Sequence, residues 1–150
     1  MEISRAKIEN LAEILELQKT CYKENALRYN DFDIPPMTQT ITNLENEFEN
    51  GIILKAAYET RIVGSIRAFK KDDTCYIGRV IVHPDFQNKG IGRQMMSQIE
   101  SIFKDVTRFE LFTGNKDEKN LYFYQKLGYK QFKTVKVNDD LSMVFMEKVN

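Results

Sequence analysis

Three β-rich runs follow one another at residues 52 to 58, 61 to 70 and 74 to 82, with only Glu59-Thr60 and Lys71-Asp72-Asp73 between them. Connections this short cannot carry a parallel crossover, which takes about a dozen residues or more. The three runs must therefore meander antiparallel, and whatever helices the chain forms must pack on that sheet.

The flanking segments change period. Ile3-Ser-Arg-Ala alternates weakly and predicts a short opening strand. Asn10 then stands as a cap before Leu11, Ile14, Leu15 and Gln18, whose spacing predicts a helix over about 10 to 22. Pro35 and Pro36 forbid a continuous helix through residues 29 to 42, so a loop is expected there, followed by a second helix ending near Gly51. Beyond Pro84, the apolar set Met95, Met96, Ile99, Ile102 and Phe103 marks one face of a third helix. A strand over 107 to 113, a helix over 118 to 127 stopped by Gly128, and strands over 129 to 137 and 141 to 148 complete the order β-αα-βββ-α-β-α-ββ. The expected class is mixed α/β (α+β), a mostly antiparallel seven-stranded sheet with four helices, in one domain over residues 1 to 150. A chain of 150 residues buries enough surface to do this without disulfides or metals.

Several functions are disfavoured. Lys plus Arg and Asp plus Glu number 22 each, so no net charge attracts a nucleic acid. Cys21 and Cys75 stand far apart and His83 is the only histidine, too few ligands for a zinc site, so no metal is expected. The N-terminus carries Glu2, Arg5 and Lys7 before any apolar stretch, and no run is long enough to span a membrane. The cytoplasm is the expected compartment.

Chemistry concentrates after the third run, in Val80-Ile-Val-His-Pro-Asp-Phe-Gln-Asn-Lys-Gly-Ile-Gly-Arg. A strand ends, a polar loop follows, and Gly90 and Gly92 open a helix. The first-turn N–H groups of a helix have no partner within it, and the macrodipole adds partial positive charge, so an anion is the expected guest. It is not a nucleotide loop of the Walker kind, for no Gly-Lys-Ser/Thr occurs, nor of the Rossmann kind, whose third glycine would fall at Met95.

Gln87-x-x-Gly90-x-Gly92, after a strand ending Val82-His83-Pro84, resembles the pyrophosphate loop of the GCN5-related N-acetyltransferase (GNAT) superfamily. Asn120-Leu-Tyr-Phe-Tyr124-Gln-Lys-Leu-Gly128-Tyr129 resembles that family's later signature, and the element order follows the family from end to end. The resemblance implies acetyl-CoA as donor. Its pyrophosphate would meet the loop from Gln87 through Asn88, Lys89, Gly90, Ile91, Gly92 and Arg93, with Lys89 or Arg93 adding charge. Its pantetheine would pair with the strand end Val80, Ile81 and Val82, which must part from its neighbour to admit it. Asn120 and Tyr124, four apart on one helix face, would share the cleft, with Tyr124 as proton donor to the departing thiolate and Asn120 as a cofactor contact.

The pattern is departed from twice. Many relatives carry an asparagine seven residues before the tyrosine, and Asp117 stands here. Some carry a glutamate eleven before the glutamine, where this chain has Tyr76. The general base is left open among Glu59, Asp73, Glu110 and water. The expected reaction is acetyl transfer to a primary amine of a small-molecule or peptide acceptor by direct attack. A non-catalytic acyl-CoA-binding or sensor module is the alternative, a protein-interaction domain using residues 29 to 37 is a more distant one, and a homodimer is allowed. Residues 1 to 50 carry five basic against ten acidic side chains, including Asp31, Asp33, Glu45, Glu47 and Glu49. If this segment lines the acceptor side, as the resemblance implies, a cationic acceptor is expected.

Overall fold

Strand β3 (Arg61–Lys71) is buried from Ile62 through Ala68 and pairs on one side with β2 (Ile52–Tyr58), on the other with β4 (Thr74–Val82). A computed structural model describes residues 1–150 and extends this meander into a seven-stranded sheet of order β1-β2-β3-β4-β5-β7-β6. The other strands are β1 (Glu2–Arg5), β5 (Arg108–Gly114), β6 (Lys130–Lys136) and β7 (Ser142–Val149). Every neighbouring pair is antiparallel except β4 with β5. Asp72 and Asp73 both take positive φ, which matches a two-residue hairpin to the twist of its strands, and β3 gains Lys71 as the partner of Thr74.

Because successive strand residues face opposite sides, each face of the sheet builds its own core. Leu54, Ile66 and Ala68 receive Met95, Met96 and Ile99 of α4 (Ile91–Ile102) on one side. On the other, Ile53, Ile62 and Ile81 receive Leu11, Ile14 and Leu17 of α1 (Leu11–Arg28) and Leu44 of α3 (Ile41–Asn50).

Five helices form where the sequence predicts four. The extra one is α2 (Pro35–Thr38), whose two prolines occupy the first turn, where a missing N–H costs nothing. The prolines break continuity, as expected, by starting a helix and not by keeping the segment irregular. Helix α1 runs on from Tyr22 to Arg28, since Lys23 to Arg28 holds good helix formers and buries Ala26. Asn10 does not cap α1. Its Oδ1 accepts the Lys7 N–H at 2.8 Å and closes a 3₁₀ turn that precedes the helix. The fifth helix, α5 (Glu118–Lys126), ends ahead of Gly128 at φ 97°.

Two irregularities mark β4. Arg79 adopts φ 50° within a register shift against β3. The pairing with β5 covers only Thr74↔Arg108, Cys75↔Phe109 and Tyr76↔Glu110, after which the two strands part.

Candidate functional site

Where β4 and β5 part, a cleft of about 520 Å³ opens. Val80, Ile81 and Val82 line it from β4, Gln87, Asn88, Gly90, Ile91, Gly92 and Arg93 from the loop and first turn of α4, and Asn120 and Tyr124 from α5. Lys89 alone among the nominated residues turns its side chain elsewhere. Its Nζ lies 5.6 Å from the centre of the Phe86 ring, in a neighbouring depression shared with Tyr58 and Arg61.

The loop is built to leave donors free. Gly90 adopts φ 83° and a Cβ there would meet nothing within 4 Å, so the residue is glycine for its backbone. Gly92 is glycine for its neighbour, since a Cβ would stand 3.3 Å from Phe123 Cζ. None of the backbone N–H groups of Asn88, Lys89, Gly90, Ile91, Gly92 or Arg93 donates a hydrogen bond within the chain; the first helical bond is Gln94 N–H to Gly90 C=O at 3.0 Å. A row of free N–H groups at the positive end of α4, beside Arg93 and Lys119, suits a phosphate or pyrophosphate. The loop is pinned by Gln87, whose Nε2 donates to the Val82 carbonyl at 3.1 Å and whose Oε1 accepts from Lys119 at 3.2 Å. His83 acts locally, its Nδ1 accepting the Asp85 N–H at 3.1 Å.

Asp117 organises the opposite wall. Its carboxylate accepts the Asn120 N–H at 3.1 Å, capping α5, and the Asn120 side-chain amide at 2.8 Å. The Asn120 amide hydrogens are thus partly engaged, and its carbonyl oxygen is the end left for a ligand. One turn on, Tyr124 is buried, and burial, followed by the charges of Tyr22 and Asp117, pushes its phenol well above the ordinary tyrosine range. It is fully protonated at neutral pH. Cys21 also lines the cleft, but burial raises its thiol from 9.0 to about 12, which leaves almost no thiolate to act as a nucleophile.

The sequence model of the acetyltransferase (GNAT) family matches residues 11–129. This chain belongs to the GNAT family. It is similar to the UPF0157 protein YqkA of Bacillus subtilis, at 25% identity over 131 residues, which cover 86% of this chain and 37% of that protein. It is also similar to an uncharacterized N-acetyltransferase, ycf52, of Gracilaria tenuistipitata var. liui, at 28% identity over 100 residues, 63% of this chain and 52% of that one. The chain thus spans about half or less of the length of these curated relatives. Its fold matches that of the PaiA N-acetyltransferase of Thermoplasma acidophilum, solved in complex with coenzyme A, with a TM-score of 0.83 at 19% identity over 99% of this chain and 98% of that one.

Within this GNAT chain, the carboxylates nominated from sequence lie away from the cleft. Glu59 sits in the β2–β3 turn at φ 56°, Asp73 in the next hairpin, and Glu110 is paired with Arg108 at 3.0 Å on the stretch where β4 and β5 still pair. Tyr76 stacks on Phe69 at 5.2 Å on that same stretch. Asp31, Asp33, Glu45, Glu47 and Glu49 do not line the cleft either, and Glu47 turns toward Arg67. By resemblance the N-terminal segment was expected on the acceptor side of this GNAT chain, but none of the α1 residues that line the cleft was nominated. Cys21, Glu24, Asn25 and Arg28 form one stripe at helical spacing, and a polar stripe continuing past Tyr22 was the signal available. Glu24 and Asp117, the carboxylates of this lining, both face Arg28, at 3.1 and 3.8 Å.

Proposed function

We propose that this GNAT chain is an acetyl-CoA-dependent N-acetyltransferase that acetylates a primary amine of a small-molecule or peptide acceptor by direct attack, with residues 1 to 150 as one domain and the cytoplasm as its compartment. The observation that carries the reading is the meeting, in one cleft, of a parted strand end, a row of unpartnered N–H groups and a buried neutral phenol.

Acetyl-CoA, when bound, supplies an acetyl thioester. The free N–H groups of the loop hold its diphosphate, with Arg93 and Lys119 adding charge. The open edge of Val80, Ile81 and Val82 pairs with its amides as a further strand, and a backbone N–H of that edge polarises the thioester carbonyl. The acceptor ammonium gives one proton to water, because Glu24 and Asp117 are already held by Arg28. The nitrogen lone pair then forms the C–N bond, the C–S electron pair leaves on sulfur, and Tyr124 protonates the thiolate. The second nitrogen proton returns to the phenol through solvent. Cys21 forms no acyl intermediate, since its thiol is neutral.

The proposed protein partner is a second copy of the chain along β6, whose seven residues are all exposed; light scattering after size exclusion reads the mass. For the reaction itself, calorimetric titration with acetyl-CoA and free-thiol release over a panel of amines form the test. Binding with thiol release that depends on an amine is expected. Binding without release for any amine would leave the sensor module, and no binding would overturn both.

A further inference from the structure

Between α1 and the sheet, two arginines keep hydrogen-bond donors that nothing in the chain accepts. Arg67, in the middle of β3, is 7% exposed. Its Nη2 donates to Gln18 and to Gln39, while its Nη1 has no acceptor and its Nε, 3.4 Å from Glu47 Oε2, lies out of hydrogen-bonding line. Arg79 follows Gly78, the register partner of Arg67, on the bulge of β4. Its Nε is buried and unpartnered as well. The Arg79 guanidinium carbon lies 5.8 Å from the centre of the Tyr22 ring, and Tyr22 lines the cleft, whereas the two arginines stand behind that lining.

The charges do not balance. Glu47 is the one carboxylate paired with this couple, it is half-exposed, and it also accepts from Gln39 at 2.7 Å. Burial and the neighbouring Arg79 lower Arg67 to about 10 against the opposing pull of Glu47, so it stays protonated at neutral pH. Buried polar groups in native proteins nearly always find partners, and a buried cation without one calls for a counter-charge. The planar fork of a guanidinium fits a carboxylate, to which it donates in pairs.

We propose that the amine acceptor carries a carboxylate, which enters beneath Tyr22 and is received by Arg79 and Arg67. The inference rests on the transferase reading above and narrows its acceptor to an amino-acid-like molecule, the opposite charge to that expected from the acidic N-terminal segment. Arg79 directly precedes Val80, the start of the edge assigned to the thioester arm, so a carboxylate anchored there brings a short acceptor's amine to the reacting carbonyl.

Matched acceptors test it: α- and ω-amino acids, their primary amides, and diamines of equal length, assayed by thiol release from acetyl-CoA. The best carboxylate acceptor should exceed its amide in kcat/KM by about tenfold or more, the scale of a charge-assisted pair. Arg79→Gln should erase that preference through KM for the acceptor while the calorimetric Kd for acetyl-CoA stays at the parental value, which also shows that the variant is folded. Arg67→Met, which replaces the buried cation by an apolar chain of similar length, should act in the same direction. Amides or diamines that match the carboxylates, or a preference that survives Arg79→Gln and Arg67→Met, would overturn the proposal. Acetyl-CoA binding without turnover of any amine would overturn it in favour of a sensor. Failure to bind acetyl-CoA at all would remove the transferase reading beneath it.

Discussion

The side-chain amide of Gln87 donates to the carbonyl of Val82 across 3.1 Å, tying the glycine loop to the last residue of β4, six residues beyond the point where β4 leaves β5. The bond sets the distance between the free N–H groups and the open strand edge, the two parts that one extended ligand must span. Gln87→Ala removes it from an exposed position, so the fold should lose less than about 1 kcal/mol. Acetyl-CoA affinity should weaken by about three- to tenfold in calorimetry, since one hydrogen bond that orders the loop is lost. An unchanged Kd would mean that the backbone alone holds the loop.

Tyr124→Phe keeps the buried ring beside Phe123 and Tyr129 and deletes only the hydroxyl. We expect kcat to fall by about 10² to 10⁴ with KM for acetyl-CoA nearly unchanged, the signature of a lost proton donor. Because burial lifts the phenol, the parental kcat should show no downturn at the ordinary tyrosine pKa. A parental kcat in the variant would return the proton-donor role to solvent.

Gly90→Ala isolates backbone strain, as a methyl at that residue meets no atom within 4 Å and only φ 83° opposes it. Thermal melts should show a loss of about 1 kcal/mol. Acetyl-CoA affinity should drop by about tenfold or more, because relaxing φ turns the free N–H groups out of line. If Kd survives while stability falls, the ligand does not use this loop.

Alkaline pH should destabilise the fold through its buried thiol and phenol groups. Burial, helped by the charge of Glu100, raises the Cys75 thiol from 9.0 to about 12. The native state therefore holds a proton that the unfolded chain releases. That contribution is complete below about pH 9 and is lost as pH rises toward 12. Tyr129 and Tyr124, raised mainly by burial, add to the fall at higher pH. Urea midpoints at pH 8 and at pH 10.5 measure the slope. Cys75→Ala should be less stable at both, because it leaves a cavity, yet lose less between them; equal losses in variant and parent would exclude the thiol as the cause.

Much of the fold was legible because its signals are local. The runs at 52 to 58 and 74 to 82 became β2 and β4 with those bounds, and the short turns between strands left no topology but a meander. Pro35 and Pro36 misled because a proline that ends one helix equally suits the first turn of the next, and only the packing of Pro36 beneath Gln18, 2.9 Å from its carbonyl, selects the second use. At the loop, the glycines foretold free N–H groups, but nothing near Lys89 announces that its ammonium turns to the Phe86 ring while Lys119, from a distant part of the chain, comes to Gln87.

By itself, then, the sequence determines the seven strands in order, four of the five helices, the family and the glycine-led loop, since each is written in residues a few positions apart, where period, turn chemistry and backbone freedom act. Tertiary structure alone decided that the parting of β4 and β5 falls after Tyr76 and Glu110, that Cys21, Glu24, Asn25 and Arg28 are the α1 residues facing the cleft beside Tyr22, and that buried Arg67 and half-buried Arg79 lie together with donors to spare. Those facts depend on how elements distant in the chain share one sheet. Burial, which sets the charge balance of Arg67 and the protonation of Tyr124, is a property of that packing and not of either residue's neighbours in sequence.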